Sequence, residues 1–196
     1  MQSEIIGSLE KLAKEFQEDE LAYLALTTKI ELPFRDRWAF LLYNSFTDHT
    51  LTVSREWKRT DLAILQNNSP KSLIELKAMY TFDAALDPDE IGGFTDAMAR
   101  DEIKAKKLAT PRTDIYTVLL ATHPEQVPPN YRGIVKYDSG INRAIKKFST
   151  ADRVKSVAIE AVNKKFKGRN VISSGELNGG SAFGVKTSVL YWLVKA

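Results

Sequence analysis

Two acidic side chains and a lysine stand within neighbouring apolar runs of the segment TDLAILQNNSPKSLIELKAMY, residues 60–80. Asp61 opens the first run, and Glu75 and Lys77 lie inside the second. Because side chains alternate between the two faces of a strand, Glu75 and Lys77 are expected on the same face. If the two runs pair, two carboxylates and one ammonium group could meet on one patch. Such a set suits cation binding and chemistry on phosphate esters.

The connection QNNSPK between the runs predicts a hairpin, because Asn, Ser and Pro favour turns between strands. Two registers are open, with Leu65 opposite Lys71 or opposite Leu73. In both registers all odd-numbered residues fall on one face of the hairpin, so the three charges converge. Two carboxylates that face each other repel unless a cation joins them. The pattern therefore favours a divalent cation on this face.

A hard ion such as Mg²⁺ binds one or two carboxylates, further oxygen atoms and substrate phosphate. Asp61 and Glu75 would supply the carboxylates, the backbone carbonyl of Leu76 would supply another oxygen, and Mn²⁺ could replace Mg²⁺. Lys77 would orient the attacking water or stabilise the charge that develops on phosphorus. This is the chemistry of a phosphodiester hydrolase. The alternative is a surface hairpin with an ordinary cross-strand ion pair, worth at most ~1 kcal/mol.

The spacing also resembles a known signature. Asp61, thirteen further residues and then ELK at 75–77 are similar to the motif of the PD-(D/E)xK nuclease superfamily, the restriction-endonuclease-like proteins. The resemblance covers roughly residues 30–125 and includes the runs RTDLAIL and LIELK. It implies an α/β fold, a mixed β-sheet core flanked by helices, and Mg²⁺-dependent cleavage of nucleic acid. Thr60 stands where the signature often has proline.

The resemblance further implies an acid on the helix before the hairpin and a Lys or Gln on the helix after it. Glu31 is our candidate for the acid, with Glu56 as a second. The run RDEIKAKK, which places Arg100, Lys104 and Lys107 on one helix face, covers the later position. Each has another explanation. An acid near a helix N-terminus is stabilised by the helix macrodipole. The RDEIKAKK run could be a solvated face on which Asp101 and Glu102 pair with lysines.

The net charge of +3 conceals a segregation of charge along the chain. Residues 1–99 hold 10 Lys and Arg against 17 Asp and Glu, whereas residues 100–170 hold 16 against 7. A basic surface of this kind suits DNA, since phosphates attract repeated cations. The alternative is a basic, solvated helix face without a ligand. The candidate nucleic-acid-binding residues outside the hairpin are Lys104, Arg143, Lys146, Lys147, Lys164 and Lys165.

The apolar periodicity predicts the elements that must position these residues. Helices are expected over residues 3–27, from Pro33, over 87–109 and over 141–167, the last broken around Ser149–Asp152. Strands are expected at Thr50–Trp57, 61–65, 72–79, Ile115–Thr122, Gly133–Tyr137, Asn170–Ser174 and Phe183–Val194, with GELNGG as a β-turn before the last. No repeat or linker interrupts the chain, so a single domain, residues 1–196, is expected.

Composition excludes several classes of function. There is no cysteine, which rules out disulfides and thiolate metal sites and fits a reducing cytoplasm. No run approaches the ~18 apolar residues of a membrane span. Together with the charged hairpin and the resemblance it carries, these features lead us to expect a cytoplasmic Mg²⁺-dependent DNA endonuclease, for which a homodimer would supply the two sites that duplex cutting needs. The alternative is a catalytically silent nuclease-fold module that binds nucleic acid or protein, although such a module would be expected to lose the acids or the lysine.

Overall fold

The computed structural model describes residues 1–129 and 133–196, with only the backbone described at Glu90. The described residues form seven α-helices and six β-strands. The helices are α1 Gln2–Lys11, α2 Glu20–Thr27, α3 Glu31–Ser45, α4 Thr81–Leu86, α5 Glu90–Leu108, α6 Asp138–Phe148 and α7 Ala151–Lys165. The strands are β1 Leu51–Trp57, β2 Thr60–Gln66, β3 Ser69–Tyr80, β4 Asp114–Pro124, β5 Asn170–Ala182 and β6 Val185–Lys195.

The strands form one sheet in the order β1-β2-β3-β4-β6-β5. Strands β3 and β4 are parallel, and all other neighbours are antiparallel. A parallel pair needs a long crossover connection, which α4 and α5 provide here. The predicted α/β class, a mixed sheet flanked by helices, is confirmed. No helix of the described residues is long and apolar enough to cross a bilayer.

Helices cover the two faces of the sheet with separate cores. On one face, Leu9 and Trp38 from α1 and α3 pack against Leu62 and Tyr116. On the other face, side chains of α4, α5, α6 and α7 pack against β4 and β6, as Val162 does against Trp192. The central strand β4 is buried on both faces, which explains why its sequence is a nearly continuous apolar run.

The hairpin of β2 and β3 turns at Asn67–Asn68, where both residues have positive φ, 47° and 63°. A two-residue turn of this kind matches the twist of paired strands. Leu62 lies opposite Ile74, and the pairing stays in this register up to Ile64. A bulge then places Leu65 opposite Pro70. The register before the bulge keeps odd-numbered residues opposite odd-numbered residues. The prediction that odd-numbered residues share one face of the hairpin is confirmed at Ala63 and Leu73. Both predicted partners of Leu65, Lys71 and Leu73, were wrong, because the bulge places Leu65 opposite Pro70.

Two predicted elements were wrong, and one element was missed. The helix over 3–27 is divided into α1, a 3₁₀ turn at Leu12–Glu15 and α2, with a break at Asp19, whose φ is 63°. The predicted strand at residues 133–137 is instead a series of turns, in which only Val135 forms a β-bridge. The backbone N–H of Lys136 donates a hydrogen bond to the backbone oxygen of Leu26 in α2 rather than to a strand. The helical segment 81–86 was missed, since no element was predicted between the strand over 72–79 and the helix over 87–109.

The strands near the end of the chain also differ from those predicted. GELNGG, predicted to be a β-turn, lies inside β5, where the pairing with β6 shifts between Asn178 and Ser181. The turn comes later, at Phe183–Gly184, where φ is 54° and 71°. By contrast, the break predicted around Ser149 is confirmed, because α6 ends there with φ of 71°. Glycines therefore mark a bulge in one place and a turn in another.

Candidate active site

The candidate site lies where β3 extends past its partner β2. The ladder between these strands ends at Leu62–Ile74, whereas β3 continues to Tyr80. Beyond Ile74, the paired neighbour of β3 in the described residues is β4, on the other edge. Backbone N–H groups on the open edge need other acceptors. The carboxylates of Asp61 and Glu31 take this role.

Both acids are fixed by backbone hydrogen bonds at this edge. The Oδ2 atom of Asp61 accepts a hydrogen bond of 2.8 Å from the N–H of Leu76. The Oε2 atom of Glu31, the first residue of α3, accepts one of 3.1 Å from the N–H of Ala78. The structure thus brings Glu31 to the hairpin from a separate helix. Burial raises the pKa of Glu31, and the charge of Asp61 raises it further against the opposing charge of Lys77.

Glu75 occupies the most enclosed position of the set. Its side chain projects from the same face as Asp61, and the residue is only 6% exposed. Burial raises the pKa of Glu75 to about 8, and the neighbouring charges of Asp61 and Asp101 act in the same direction. Glu75 takes part in none of the ion pairs found among the described residues. A buried carboxylate beside other carboxylates is costly when ionised.

Lys77 lies between a carbonyl and a carboxylate. Its Nζ atom is 3.0 Å from the backbone oxygen of Leu76, to which it donates, and 2.7 Å from Oδ2 of Asp101. Burial alone would lower the pKa of Lys77. The hydrogen bond to Asp101 and the negative charges of Glu31, Asp101 and Asp61 outweigh burial and raise that pKa. The ammonium group therefore stays protonated at neutral pH.

Asp101 is a site residue that our sequence analysis missed. We expected it on a solvated face of α5, but it is 8% exposed and binds Lys77. Its other oxygen, Oδ1, is 2.7 Å from Nζ of Lys104, whose side chain is 70% exposed. A signal was present in the sequence: Met98, Asp101 and Ala105 recur at helical spacing, and all three are buried. An acid on an apolar stripe points to a buried partner.

Arg35 is the second missed residue. It lies on α3, one turn after Glu31, and is 7% exposed. Its Nη1 atom is 4.0 Å from Oδ1 of Asp61 and forms an ion pair with Glu56. Glu56, our second candidate for the third acid, is thus engaged by Arg35 and is largely exposed at 62%. The geometry places Glu31 rather than Glu56 against β3.

The oxygen atoms at this edge are ones that could hold a hard divalent cation through few protein groups. The described residues contain no cluster of three or more His, Asp or Glu side chains arranged for a metal ion. Mg²⁺ in proteins often uses one or two carboxylates and takes its other oxygens from water and substrate phosphate. Asp61, Glu75 and the carbonyl of Leu76 offer this smaller set. A divalent charge here would act against the burial and the neighbouring carboxylates that raise the pKa of Glu75.

The structure places the predicted nucleic-acid-binding residues in two regions. Lys104 lies beside Lys77 through their common partner Asp101. The remaining five lie exposed on α6 or in the last turn of α7: Arg143, Lys146, Lys147, Lys164 and Lys165. Two of these, Arg143 and Lys147, line a cavity of about 500 Å³ between α4 and α6.

Comparisons of the chain with models of known protein families, with curated proteins and with solved structures give no match. Function must therefore be inferred from the side chains that converge at the open edge of β3.

Proposed function

We propose that this chain is a Mg²⁺-dependent deoxyribonuclease that hydrolyses DNA phosphodiester bonds at a D-x13-E-x-K site. The observation that supports this most strongly is the pair of carboxylates, Asp61 and Glu75, at the strand edge that also holds Lys77. Glu75 is buried and its pKa is raised to about 8 by burial and by nearby carboxylates. Strongly perturbed groups of this kind concentrate at functional sites.

Asp61, Glu75 and the backbone carbonyl of Leu76 would hold Mg²⁺, or Mn²⁺ in its place. The ion, when bound, supplies positive charge that polarises the phosphate and makes water a better nucleophile. The protein contributes a preset arrangement. The N–H of Leu76 donates a hydrogen bond of 2.8 Å to Oδ2 of Asp61, which fixes that carboxylate. Glu75 is buried. Little reorganisation is then needed when substrate binds.

Lys77 would orient the attacking water and stabilise the negative charge that develops on the phosphate oxygens. Its contact with Asp101, 2.7 Å, keeps the ammonium group charged and in place. Glu31 would assist Lys77 from the same open edge, where its Oε2 atom accepts a hydrogen bond of 3.1 Å from the N–H of Ala78. Burial, together with the charge of Asp61, raises the pKa of Glu31 above its ordinary value.

The test is DNA cleavage by three single variants, Asp61→Asn, Glu75→Gln and Lys77→Ala. Each should lower the Mg²⁺-dependent rate at least ~100-fold, because each removes a group that acts on the reacting phosphate or its ion. Lys71→Ala is the matched control, since Lys71 lies on the same strand, β3, as Lys77 but at the other end. It should cut as the wild type does. Thermal melting would establish that all four variants remain folded.

Unchanged cutting in the three variants would overturn the proposal. Tight DNA binding without cutting, with Mg²⁺ or Mn²⁺ supplied, would favour the alternative of a silent binding module. Cutting that survives excess EDTA would exclude the divalent-ion role of Asp61 and Glu75.

We further propose that double-strand cutting requires a homodimer, since one site acts on one strand at a time. Plasmid DNA tests this separately. A dimer should convert supercoiled plasmid directly to linear product, with a rate that rises more than linearly with protein concentration. A monomer should produce nicked circles first.

A further inference from the structure

Lys77 lines a cavity of about 520 Å³. This size lies in the range of pockets that bind small organic groups. Lys77 is therefore common to the candidate active site and to the cavity. The other side chains of its wall that matter here are Lys29, Tyr80, Asp83, Phe94 and Tyr137.

Aromatic rings form a fixed wall of the cavity. Tyr80 is 1% exposed, and its hydroxyl donates a hydrogen bond of 2.8 Å to the backbone oxygen of Ala25. The ring of Phe82 stacks on it with a centroid distance of 5.0 Å. The ring centroid of Tyr137 lies 5.1 Å from that of Tyr80. Tyr137 is 47% exposed, so much of its ring remains available to a ligand. The buried rings hold the exposed ring in place.

Cationic groups border this aromatic wall. The Nζ atom of Lys29 lies 5.6 Å from the centroid of the Phe94 ring, and Lys77 borders the same cavity. Aromatic faces next to ammonium groups are the chemistry that binds unpaired nucleotides. The base stacks on the ring while the phosphates contact the cations.

A second cavity continues in the direction of α6. Its volume is about 500 Å³, and it shares the side chain of Asp83 with the first cavity. Arg143 and Lys147, one turn apart on α6, lie in its wall. A single DNA strand could thus run from Lys77, past the aromatic wall, to two further cations. The carboxylate of Asp83 accepts a hydrogen bond of 2.9 Å from the N–H of Tyr80, which fixes it between the two cavities.

We propose that the cavity beside Lys77 binds an unpaired nucleotide of the DNA strand to be cut, with its base stacked on Tyr137 and Phe94. The preferred substrate is then DNA with a single-stranded segment, such as an overhang or a flap, rather than a blunt duplex. Bases inside a duplex are covered on both faces by their neighbours, so they cannot offer a face to the protein without being unstacked. The preference for cutting rests on the proposed nuclease function, whereas base binding does not.

Base binding is tested first, on the full-length protein in EDTA so that no cutting occurs. The probes are one strand with 2-aminopurine at its unpaired end, a flap duplex with the same label, and a blunt duplex. The unpaired probes should bind at least about tenfold more tightly than the blunt duplex, with quenching of 2-aminopurine as it stacks. Tyr137→Ala and Phe94→Ala should each weaken binding of the unpaired probes by about 5- to 100-fold and remove the quenching.

Matched variants separate stacking from folding. Tyr137→Phe keeps the ring and should bind and quench as the wild type does. Tyr43→Ala removes an exposed tyrosine of α3, 57% exposed, that borders neither cavity, and should change nothing. Equal affinity for all three probes, or quenching that persists in Tyr137→Ala and Phe94→Ala, would overturn the proposal.

Cutting with Mg²⁺ then separates this inference from the proposed function. Faster cutting of the flap than of the blunt duplex, lost in Tyr137→Ala, supports both. Equal cutting of flap and blunt duplex, unaffected by Tyr137→Ala, overturns the cavity's role and leaves the nuclease intact. Quenching without cutting of any DNA supports base binding, overturns the proposed nuclease, and removes the cutting preference.

Discussion

Among the single side chains of the candidate site, Glu75 has the most unusual environment. Its pKa is raised to about 8 by burial and then by Asp61 and Asp101. In the unfolded chain the same carboxyl group has its ordinary value near 4.5. Between these two pH values the folded protein binds a proton that the unfolded chain releases. The contribution of Glu75 to the stability of the folded state therefore decreases as the pH rises from about 4.5 to about 8.

Glu75→Gln should remove this dependence. In EDTA, the variant should be more stable than the wild type above pH 8, by at least ~1 kcal/mol, the equivalent of one pKa unit. At pH 5, where Glu75 is protonated in the folded state, the two proteins should differ little. Urea unfolding at pH 5 and at pH 8.5 measures the difference. Mg²⁺ should stabilise the wild type more at pH 8.5 than at pH 5, because ligands must be deprotonated.

The control for this pH dependence is Glu18→Gln, since Glu18 is exposed on the surface before α2. Its effect on stability should be small at both pH values. An identical gain for Glu75→Gln at pH 5 and pH 8.5 would contradict the expected ionisation of Glu75.

In the proposed mechanism, Asp101 acts through Lys77 as a positioning residue. In Asp101→Asn, burial of Lys77 is no longer opposed by the nearest carboxylate, so the pKa of Lys77 should fall. Cutting should drop roughly 10- to 100-fold, as it does when a supporting group of an active site is lost. The alkaline limb of the pH–rate profile should also move to lower pH. The pH–rate profile in Mg²⁺ measures both effects.

Lys104→Met is the matched control, because Lys104 contacts the same carboxylate but is 70% exposed. Its pH–rate profile should keep the wild-type alkaline limb. A purely structural role of Asp101 would lower the rate of Asp101→Asn without moving that limb.

How far the sequence predicts this site depends on the kind of contact. Asp61 and Glu75 could be placed on one face because strand alternation and a short turn leave little freedom. Asp101 and Arg35 come from helices, and a helical pattern does not say which strand the helix covers. The hydrogen bond of Glu31 to Ala78 depends on where β2 stops, which the sequence pattern of β2 does not reveal.

At the scale of elements, the hairpin of β2 and β3 sets the register of the site. Its turn uses Asn67 and Asn68 at positive φ, 47° and 63°. Asparagine tolerates this conformation better than most residues, and glycine accepts it without strain. The predicted six-residue connection was too long, because Gln66 belongs to β2 and residues 69–71 belong to β3. Turn-forming residues were recognised correctly, but the bulge beside Leu65 was not predictable from alternation alone.

Substitutions at Asn68 should test this turn without touching the site. Asn68→Gly should leave stability unchanged or raise it by up to ~1 kcal/mol, since Asn-Gly is the preferred pair for such a turn. Asn68→Val should lower it by roughly 1–3 kcal/mol, because a β-branched residue is strained at positive φ. Urea unfolding measures both. Equal effects of Gly and Val would contradict the positive φ at this position.

Over the whole molecule, the acidic segment and the basic segment of the sequence meet at β3 and α5. The acidic segment, residues 1–99, provides Asp61, Glu75 and Glu31. The basic segment, residues 100–170, provides α6 and α7. The sequence predicted the charge segregation but not its geometry, because the contact between α4 and α6 joins residues far apart in the chain. That contact places Arg143 and Lys147 on the cavity adjoining the one beside Lys77.

This geometry predicts how salt affects DNA binding. Each phosphate contact releases counterions, so the logarithm of the binding constant falls with the logarithm of salt concentration by about 0.7 to 0.9 per contact. The double variant Arg143→Ala, Lys147→Ala should lower that slope by roughly 1–2 for single-stranded and flap DNA. Lys11→Ala, Lys14→Ala removes two exposed cations at the other end of the chain and should leave the slope unchanged. Fluorescence anisotropy at several salt concentrations gives both slopes, and equal slopes for the two double variants would exclude α6 from the DNA-binding surface.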